Sequence, residues 1–425
     1  MIPVEYLEKL RAHLAYSHID LEILPTEVFV PTKISIPLKS HITPKEHQIE
    51  AIEHLVNFPE SKRGLSLYTG AGKTVSSIIA MNRIGYRSLV VASGLLDQWY
   101  ASIQRFTDLT DEDIYVVKGS SSLMKLWNSN LQPKVIIFSL ETLRPFATRK
   151  GAYAQLDFNY HDFLIKYDIG AKFIDECDEN FHAIVCIDLV TFTVPINIYL
   201  SATYMRNDSK EEDIFKMVFP KHIRYGEDSI ADHVNIKLIY YAAYVNERKT
   251  MTSKGYMQTK YEAQLLRDKS MQDWFIDKIL VPCIKKYYLD IKKPGQKLML
   301  LFGSVETIRF VIKRLTAVLD KNLKILSYVS GDSFDNLSKA DILLGTPKGL
   351  SRGKDIAGLK TVFTFISTKA KSRIIQTLGR TREIEGDEVY LLDFINEQDK
   401  NHGKHAETKL EIYQARAKTL EIIRI

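Results

Sequence analysis

The chain has little cysteine, no long apolar run, no repeat and no low-complexity tract. Only three cysteines, Cys177, Cys186 and Cys283, stand in 425 residues. Their spacing matches no structural zinc pattern, and any disulfide scheme leaves one thiol over. A reducing, cytoplasmic setting without structural metal is therefore expected. Charges interrupt every apolar stretch, the N-terminal "MIPVEYLEKLRAHLAYSHIDLEIL" included, well short of the roughly 18 residues a membrane helix needs. A soluble, unexported chain with no membrane partner is the expectation. With 45% apolar and 26% charged residues the composition is that of a folded globular protein, so large-scale disorder is excluded. Excess positive charge is scarce as well. A formal net charge of +6 permits a polyanionic partner without requiring one.

What is present is a rhythm. From residue 64 onward, short apolar runs such as "SLVVAS", "KVIIFS", "KFIDECDE" and "INIYLSAT" alternate with helical stretches such as "LLDQWYASIQRF". That alternation predicts βαβ units and a parallel sheet, whose functional residues sit at the carboxyl ends of the strands. After about residue 205 the rhythm stops across a polar segment, then resumes with "KLMLLFGS", "LKILSYVS", "ADILLGT", "TVFTFIS" and "EVYLLDF". Length alone also favours two domains. The expected division is a small accessory module over 1–40, whose Pro25, Pro31 and Pro37 suit edge-type strands, then α/β domains over 41–225 and 226–425. A charged insertion at about 245–275 belongs to the second domain. Its stretch "NERKTMTSKGYMQTK" reads as a solvated surface, with duplex DNA contact as the less favoured alternative.

Four short stretches carry chemistry. "YTGAGKT" at 68–74 lies between a strand-like and a helical run, the context of a phosphate-cradling loop. Gly70 and Gly72 let amides turn toward phosphate oxygens, Lys73 reaches the β- and γ-phosphates, and Thr74 offers Mg²⁺ a hydroxyl. Leu67 stands where the usual motif begins with glycine. "DECD" at 175–178 follows an apolar run, so Asp175 can hold Mg²⁺ and Glu176 can polarise an attacking water. Cys177, in the variable slot of that box, reads as a small filler, and Trp99, at helical spacing from Ile103 and Phe106, reads as core. "SAT" at 201–203 gains meaning from its place after the acidic box. In "QTLGRTRE" at 376–383, Arg380 or Arg382 can stabilise charge on a transferring phosphoryl group.

The order of these stretches resembles superfamily 2 helicases and translocases over roughly residues 41–395. "TPKEHQIEAI" resembles the upstream glutamine motif, with Gln48 in the adenine-reading position. "YTGAGKT", "LVVASGLLDQWYASIQRF", "IIFSLETL", "DECD" and "SAT" resemble the successive motifs of the first domain. "KLMLLFGSVETIRFVIKRL", "DILLGTPKGLSRGKDIAGL" and "QTLGRTR" resemble those of the second. Compact size, a small N-terminal module and the tail "HAETKLEIYQARAKTLEI" are most similar to the UvsW-like phage group. One departure matters most. The usual second arginine of the last motif falls a residue early, at Arg382, with Glu383 in its place, so Arg380 is the expected arginine finger.

The resemblance implies two RecA-like parallel-sheet domains in tandem that use ATP and Mg²⁺. It implies nucleotide contacts from Gln48, Thr69, Gly70, Ala71, Gly72, Lys73, Thr74, Gly353 and Asp355, with metal held by Thr74 and Asp175. It implies catalysis by Glu176 with Lys73, Gln376, Arg380 and Arg382, and coupling through Asp178, Ser201 and Thr203. Strand contacts are implied for Ser93, Ser139, Thr142, Ser304 and Thr346, each of which alone reads equally as a strand-end cap. The implied activity is ATP-driven unwinding or branch migration of forked and junction DNA, with unknown replication or recombination partners, in the cytoplasm of a bacterial host if phage-encoded. An RNA helicase, a duplex translocase and an ATP-switched binding protein stay open beside it.

Overall fold

The computed structural model describes residues 29–67, 71–188, 194–204, 209–226, 231–253, 255–350, 356–381, 383–384 and 386–425. The chain divides into two compact units, Met1–Asp228 and Ser229–Ile425. Among the described residues no helix is long and apolar enough to cross a membrane.

The first unit contains strands β1 (Lys62–Ser66), β2 (Arg87–Ala92), β3 (Ile114–Val117), β4 (Val135–Ser139), β5 (Ile169–Ile174), β6 (Ile196–Ser201) and β7 (Arg224–Tyr225). They form one sheet in the order β3-β4-β2-β5-β6-β1-β7, with parallel pairing throughout. Alternate side chains of β2 show why the runs are apolar without interruption. Leu89 and Val91 join one core layer while Val90 and Ala92 join another, so neither sheet face reaches water. Five helices of this unit bear on the site: α1 (Glu46–Asn57), α2 (Lys73–Ile84), α3 (Leu96–Phe106), α4 (Leu140–Ala147) and α5 (Phe181–Asp188). Residues from the stretch read as an accessory module lie against this unit. Ile36 is buried in its core, and Lys33 and Leu38 bridge to Tyr86 and Thr107. Residues 1–28 of that stretch are outside the described residues.

The second unit contains β8 (Ala231–Tyr241), the small hairpin of β9 (Met251–Thr252) and β10 (Gly255–Tyr256), then β11 (Lys297–Leu301), β12 (Ile325–Tyr328), β13 (Ile342–Gly345), β14 (Leu359–Thr364), β15 (Val389–Asn396) and β16 (Ala417–Arg424). Its main sheet runs β12-β13-β11-β14-β15-β8-β16 and is also parallel throughout. With the hairpin set aside and strands numbered within each unit, both sheets follow the order 3-4-2-5-6-1-7. No sequence repeat announces this. Four helices matter here: α6 (Gln258–Leu265), α7 (Val305–Val318), α8 (Lys371–Leu378) and α9 (Lys400–Gln414).

One buried ion pair fastens α9 to its sheet. Lys409 on α9 donates to Asp393 of β15 at 2.8 Å and to the Ile366 carbonyl at 2.7 Å, and Tyr413 donates to the other Asp393 oxygen at 2.9 Å. Asp393 and Lys409 are 0% and 3% exposed. Removing the ammonium leaves a carboxylate without its counter-charge in the core. Lys409→Met is expected to cost about 3–5 kcal/mol of stability, read by chemical denaturation of the full chain.

Candidate functional site

The phosphate-loop candidate joins β1 to α2. Gly72 caps the helix with φ +90°, a left-handed conformation that glycine adopts without penalty. A Cβ there would stand 2.0 Å from Gln48 Nε2. Gln48 itself is buried and works as a splint. Its Nε2 donates to the Ala71 carbonyl at 3.1 Å, and its Oε1 accepts from the Lys45 N–H at 3.0 Å, closing the capping box of α1. The His47 ring reaches the same Ala71 carbonyl at 3.1 Å. Lys73 donates to the Leu67 carbonyl at 2.7 Å, and Thr74 follows it in the first turn of α2. Thr69 and Gly70 lie outside the described residues.

The acidic box ends β5. Asp175 accepts from the Trp99 indole at 2.9 Å with one oxygen and from the Glu176 N–H at 3.0 Å with the other. Glu176 holds φ +54°, an uncommon and strained conformation for a residue with a side chain. Asp178 is buried and accepts from Ser201 at 2.6 Å and Thr203 at 2.9 Å. Sheet order makes this arrangement continuous. β6 lies between β5 and β1, the Leu67 N–H donates to the Ser201 carbonyl at 3.4 Å, and Leu67 in turn receives Lys73. The loop lysine is thus linked to the acidic box through the end of β6.

Electrostatics distinguish the three carboxylates. Burial, then the charges of Asp175, Asp178 and Glu179, push Glu176 up to about 8, with Lys73 opposing. Burial pushes Asp178 to about 6 against its two hydroxyl donors. Asp175 is raised by burial, opposed by the Trp99 bond and by Lys73. Carboxylates raised in this way are a place where a cation is welcome. The donor set suits Mg²⁺, since Thr74 and Asp175 offer hard oxygens. The indole and amide bonds take one site on each Asp175 oxygen, from a carboxylate with about four lone-pair sites.

Three of the five candidate strand contacts gather at the carboxyl ends of neighbouring strands in the first unit. Ser93 follows β2, Ser139 ends β4 and caps α4, and Thr142 lies in the first turn of α4. Thr142 Oγ1 accepts from the Gly119 N–H beyond β3 at 2.7 Å. In the second unit Ser304 follows β11 and caps α7, accepting from the Thr307 N–H at 3.0 Å. Thr346 follows β13 and accepts from the Gly349 N–H at 3.1 Å. Ser93 and Ser304 hold equivalent places in the shared strand order, as do Ser139 and Thr346.

Gln376 is half-buried in α8, and Arg380 is 6% exposed just beyond that helix. Arg382, Gly353 and Asp355 lie outside the described residues.

Sequence reasoning missed several contributors. Trp99 is core as expected, at 2% exposed, yet its indole N–H also orients Asp175. The segment read as a solvated insertion supplies a buried relay. The Asn396 N–H donates to His402 Nδ1 at 3.2 Å, so the ring proton sits on Nε2, 3.0 Å from the Tyr256 hydroxyl. Tyr256 donates to Gln258 at 3.1 Å, and Gln258 donates to Glu262 at 3.0 Å. Glu262 accepts from the Gly303 N–H at 2.5 Å and the Ser304 N–H at 2.9 Å. No periodicity within "QTKYEAQL" signals this, because Glu262's partners lie 41 and 42 residues onward and Tyr256's partner His402 lies 146 onward.

Residues 41–206 match the family described as "Type III restriction enzyme, res subunit", within the first unit and under half of the chain. No curated protein sequence matches. Among solved structures, S. cerevisiae Dbp5 bound to RNA and ADP BeF3 superposes with a TM-score of 0.58 at 14% identity, covering 90% of each chain. The ATP-dependent Type ISP restriction-modification enzyme LlaBIII bound to DNA gives 0.59 at 13% identity, over 90% of this chain and 31% of that one. T4 UvsW aligns over 100% of this chain and 88% of its own at 15% identity, with a TM-score of 0.34, which carries no argument for the UvsW-like branch. These likenesses establish the fold, two RecA-like α/β domains in tandem.

Two outcomes follow from this geometry. Gly72→Ala is expected to weaken nucleotide binding at least about tenfold, measured with a fluorescent ATP analogue, because the added methyl meets Gln48 and an L-residue resists this φ. In the second unit, burial, then Lys409 and Lys369, lower His405 to about 4. An unfolded histidine takes up its proton near 6.5, so the unfolded state binds more protons between these values. Relative to His405→Gln, the wild type is expected to lose thermal stability progressively from about pH 6.5 down to about 4 and to show no such change above pH 7.

Proposed function

We propose that the chain is a helicase-type ATPase of superfamily 2, coupling ATP hydrolysis to movement on nucleic acid. The observation that carries the reading is the linked constellation at the ends of β1, β6 and β5. There the Gly72–Lys73 loop, Ser201 and Thr203, and the Asp175–Glu176–Asp178 box share one hydrogen-bonded edge. Lys73 leaves the Leu67 carbonyl to take the β- and γ-phosphates, and the amides around Gly72 receive the remaining oxygens. Mg²⁺, held by Thr74 and Asp175, would supply positive charge to the phosphate oxygens. Trp99 keeps Asp175 turned toward that edge.

Glu176 is the base. Water attacks the γ-phosphorus, its proton passes to Glu176, and the bond to the ADP oxygen breaks in line. Glu176 accepts that proton in its carboxylate form, which Lys73 favours and which a bound Mg²⁺ would favour further. We assign Arg380, with Gln376 beside it on the chain, to the charge developing on the transferred group. Asp178, tied to β6 by two hydroxyls, is assigned to passing the state of the acidic box to the neighbouring strand end. The hydroxyl-bearing strand ends at Ser93, Ser139 and Thr142 are proposed to meet backbone phosphates, as a motor indifferent to sequence requires. Forked or branched DNA, acted on in the cytoplasm, is the substrate favoured by the motif resemblance.

Glu176→Gln is expected to lower kcat about 100-fold or more while retaining nucleotide binding, and Arg380→Ala to lower it about 1000-fold. Hydrolysis untouched by Glu176→Gln overturns the motor reading, and a wild type that binds ATP without hydrolysing it favours the ATP-switched binding protein. Substrate choice is read from stimulation of hydrolysis by single-stranded DNA, duplex, fork, four-way junction and RNA. Strongest stimulation by fork or junction is the expected outcome. A preference for RNA overturns the DNA assignment, and equal response to plain duplex and fork marks a translocase that does not separate strands.

A further inference from the structure

Two of the three candidate strand contacts in the first unit are tied to one carboxylate. Ser93 donates to Glu141 Oε1 at 2.7 Å, and Ser139 donates to Glu141 Oε2 at 2.8 Å. Two hydroxyls on adjacent strand ends, aiming their protons at one anion, already make the contacts that a backbone phosphate would ask of them. Glu141 is exposed at the second position of α4, so its side chain can swing into solvent without uncovering core. Exposed Arg144 stands three residues further on, and exposed Lys118 adjoins Gly119, whose N–H donates to Thr142. An acidic group among hydroxyls meant for phosphate needs a reason to be there.

The second unit offers the contrast. Glu262 likewise occupies the donors at the equivalent strand end, the N–H groups of Gly303 and Ser304. It is only 2% exposed, on a helix whose Tyr261 and Leu265 are packed into the core. That carboxylate cannot leave without dismantling α6, whereas Glu141 can.

We propose that Glu141 is a resident anion that a nucleic-acid phosphate displaces, and that it thereby sets how tightly and how salt-sensitively the first unit holds a strand. The proposal rests on the functional reading in which these strand ends face nucleic acid. Displacement breaks two charge-assisted hydrogen bonds and leaves a carboxylate near the incoming phosphate, and both effects weaken the hold. A motor gains from this, because a grip that relaxes onto its own carboxylate lets go of the strand faster.

The test measures binding of a fluorescent oligothymidylate of about 20 nucleotides by anisotropy, between about 50 and 200 mM KCl. Glu141→Gln keeps the side-chain shape and is expected to tighten binding roughly fivefold. The slope of log K against log salt should steepen by about 0.7, since one more phosphate is effectively neutralised. Glu262→Gln should give no such tightening. Ser93→Ala with Ser139→Ala removes the donors and should weaken binding, which provides a second reading if Glu141→Gln does not fold. Unchanged or weaker binding by a folded Glu141→Gln overturns this proposal and leaves the ATPase reading standing, and so does a double variant that binds as the wild type does. No binding by the wild type or any variant overturns both.

Discussion

A parallel sheet covered on both faces has nowhere to present polar chemistry except its ends. Strands such as β4 and β14 are buried along their whole length, so side chains that meet solvent or ligand must stand where a strand gives way to a loop. The principal residues to which roles are assigned obey that constraint. Lys73, Asp175, Ser93, Ser139, Ser304 and Thr346 each follow or end a strand on the carboxyl side. Sheet order then decides which strand ends become neighbours. Because β6 separates β1 from β5, Ser201 becomes the relay between a lysine and an acidic box about a hundred residues apart.

The strands and the glycine-led start of α2 were legible because both depend on local chemistry. Uninterrupted apolar runs of this length suit doubly covered strands, and a glycine before lysine and threonine announces a tight helix start. The bonding of Asp178 to Ser201 and Thr203 is long-range, and only the order of the motifs hinted at it. Trp99 was correctly placed in the core by its spacing, but spacing carries no information about where an indole N–H points. Glu141 is a first-turn acid of the kind a helix dipole favours, and nothing in the sequence marks its two hydroxyl partners. Glu262 lies just past the stretch read as solvated, and its partners are amides that arrive with β11, far along the chain. Polar residues whose partners come from elsewhere in the fold are the ones that sequence patterns misfile.

The functional edge also carries local cost. Glu176 holds a left-handed backbone, and its buried carboxyl feels the charges of three others, Asp175, Asp178 and Glu179, and of a lysine. Each is unfavourable alone, and the surrounding strands hold them together. That is the usual signature of a place kept for chemistry rather than for stability. The second unit's relay has the opposite character. From Asn396 through His402, Tyr256 and Gln258 to Glu262, each link meets a partner, so it stiffens what it joins.

The shared strand order gives the two units one wiring plan, and the turn after the first strand separates their fates. In the first unit the chain enters α2 through Gly72, held in a left-handed conformation. In the second, the first strand runs out at Tyr241, and both main-chain groups of nearby Ala243 are taken by the Asn396 amide, the N–H at 3.0 Å and the carbonyl at 2.8 Å. One copy of the plan passes through a left-handed glycine into a helix and the other is moored to itself. A pair built on one template therefore differs at the joint where the proposed nucleotide site lies, and that inequality fits the different parts the proposed function gives two similar bodies.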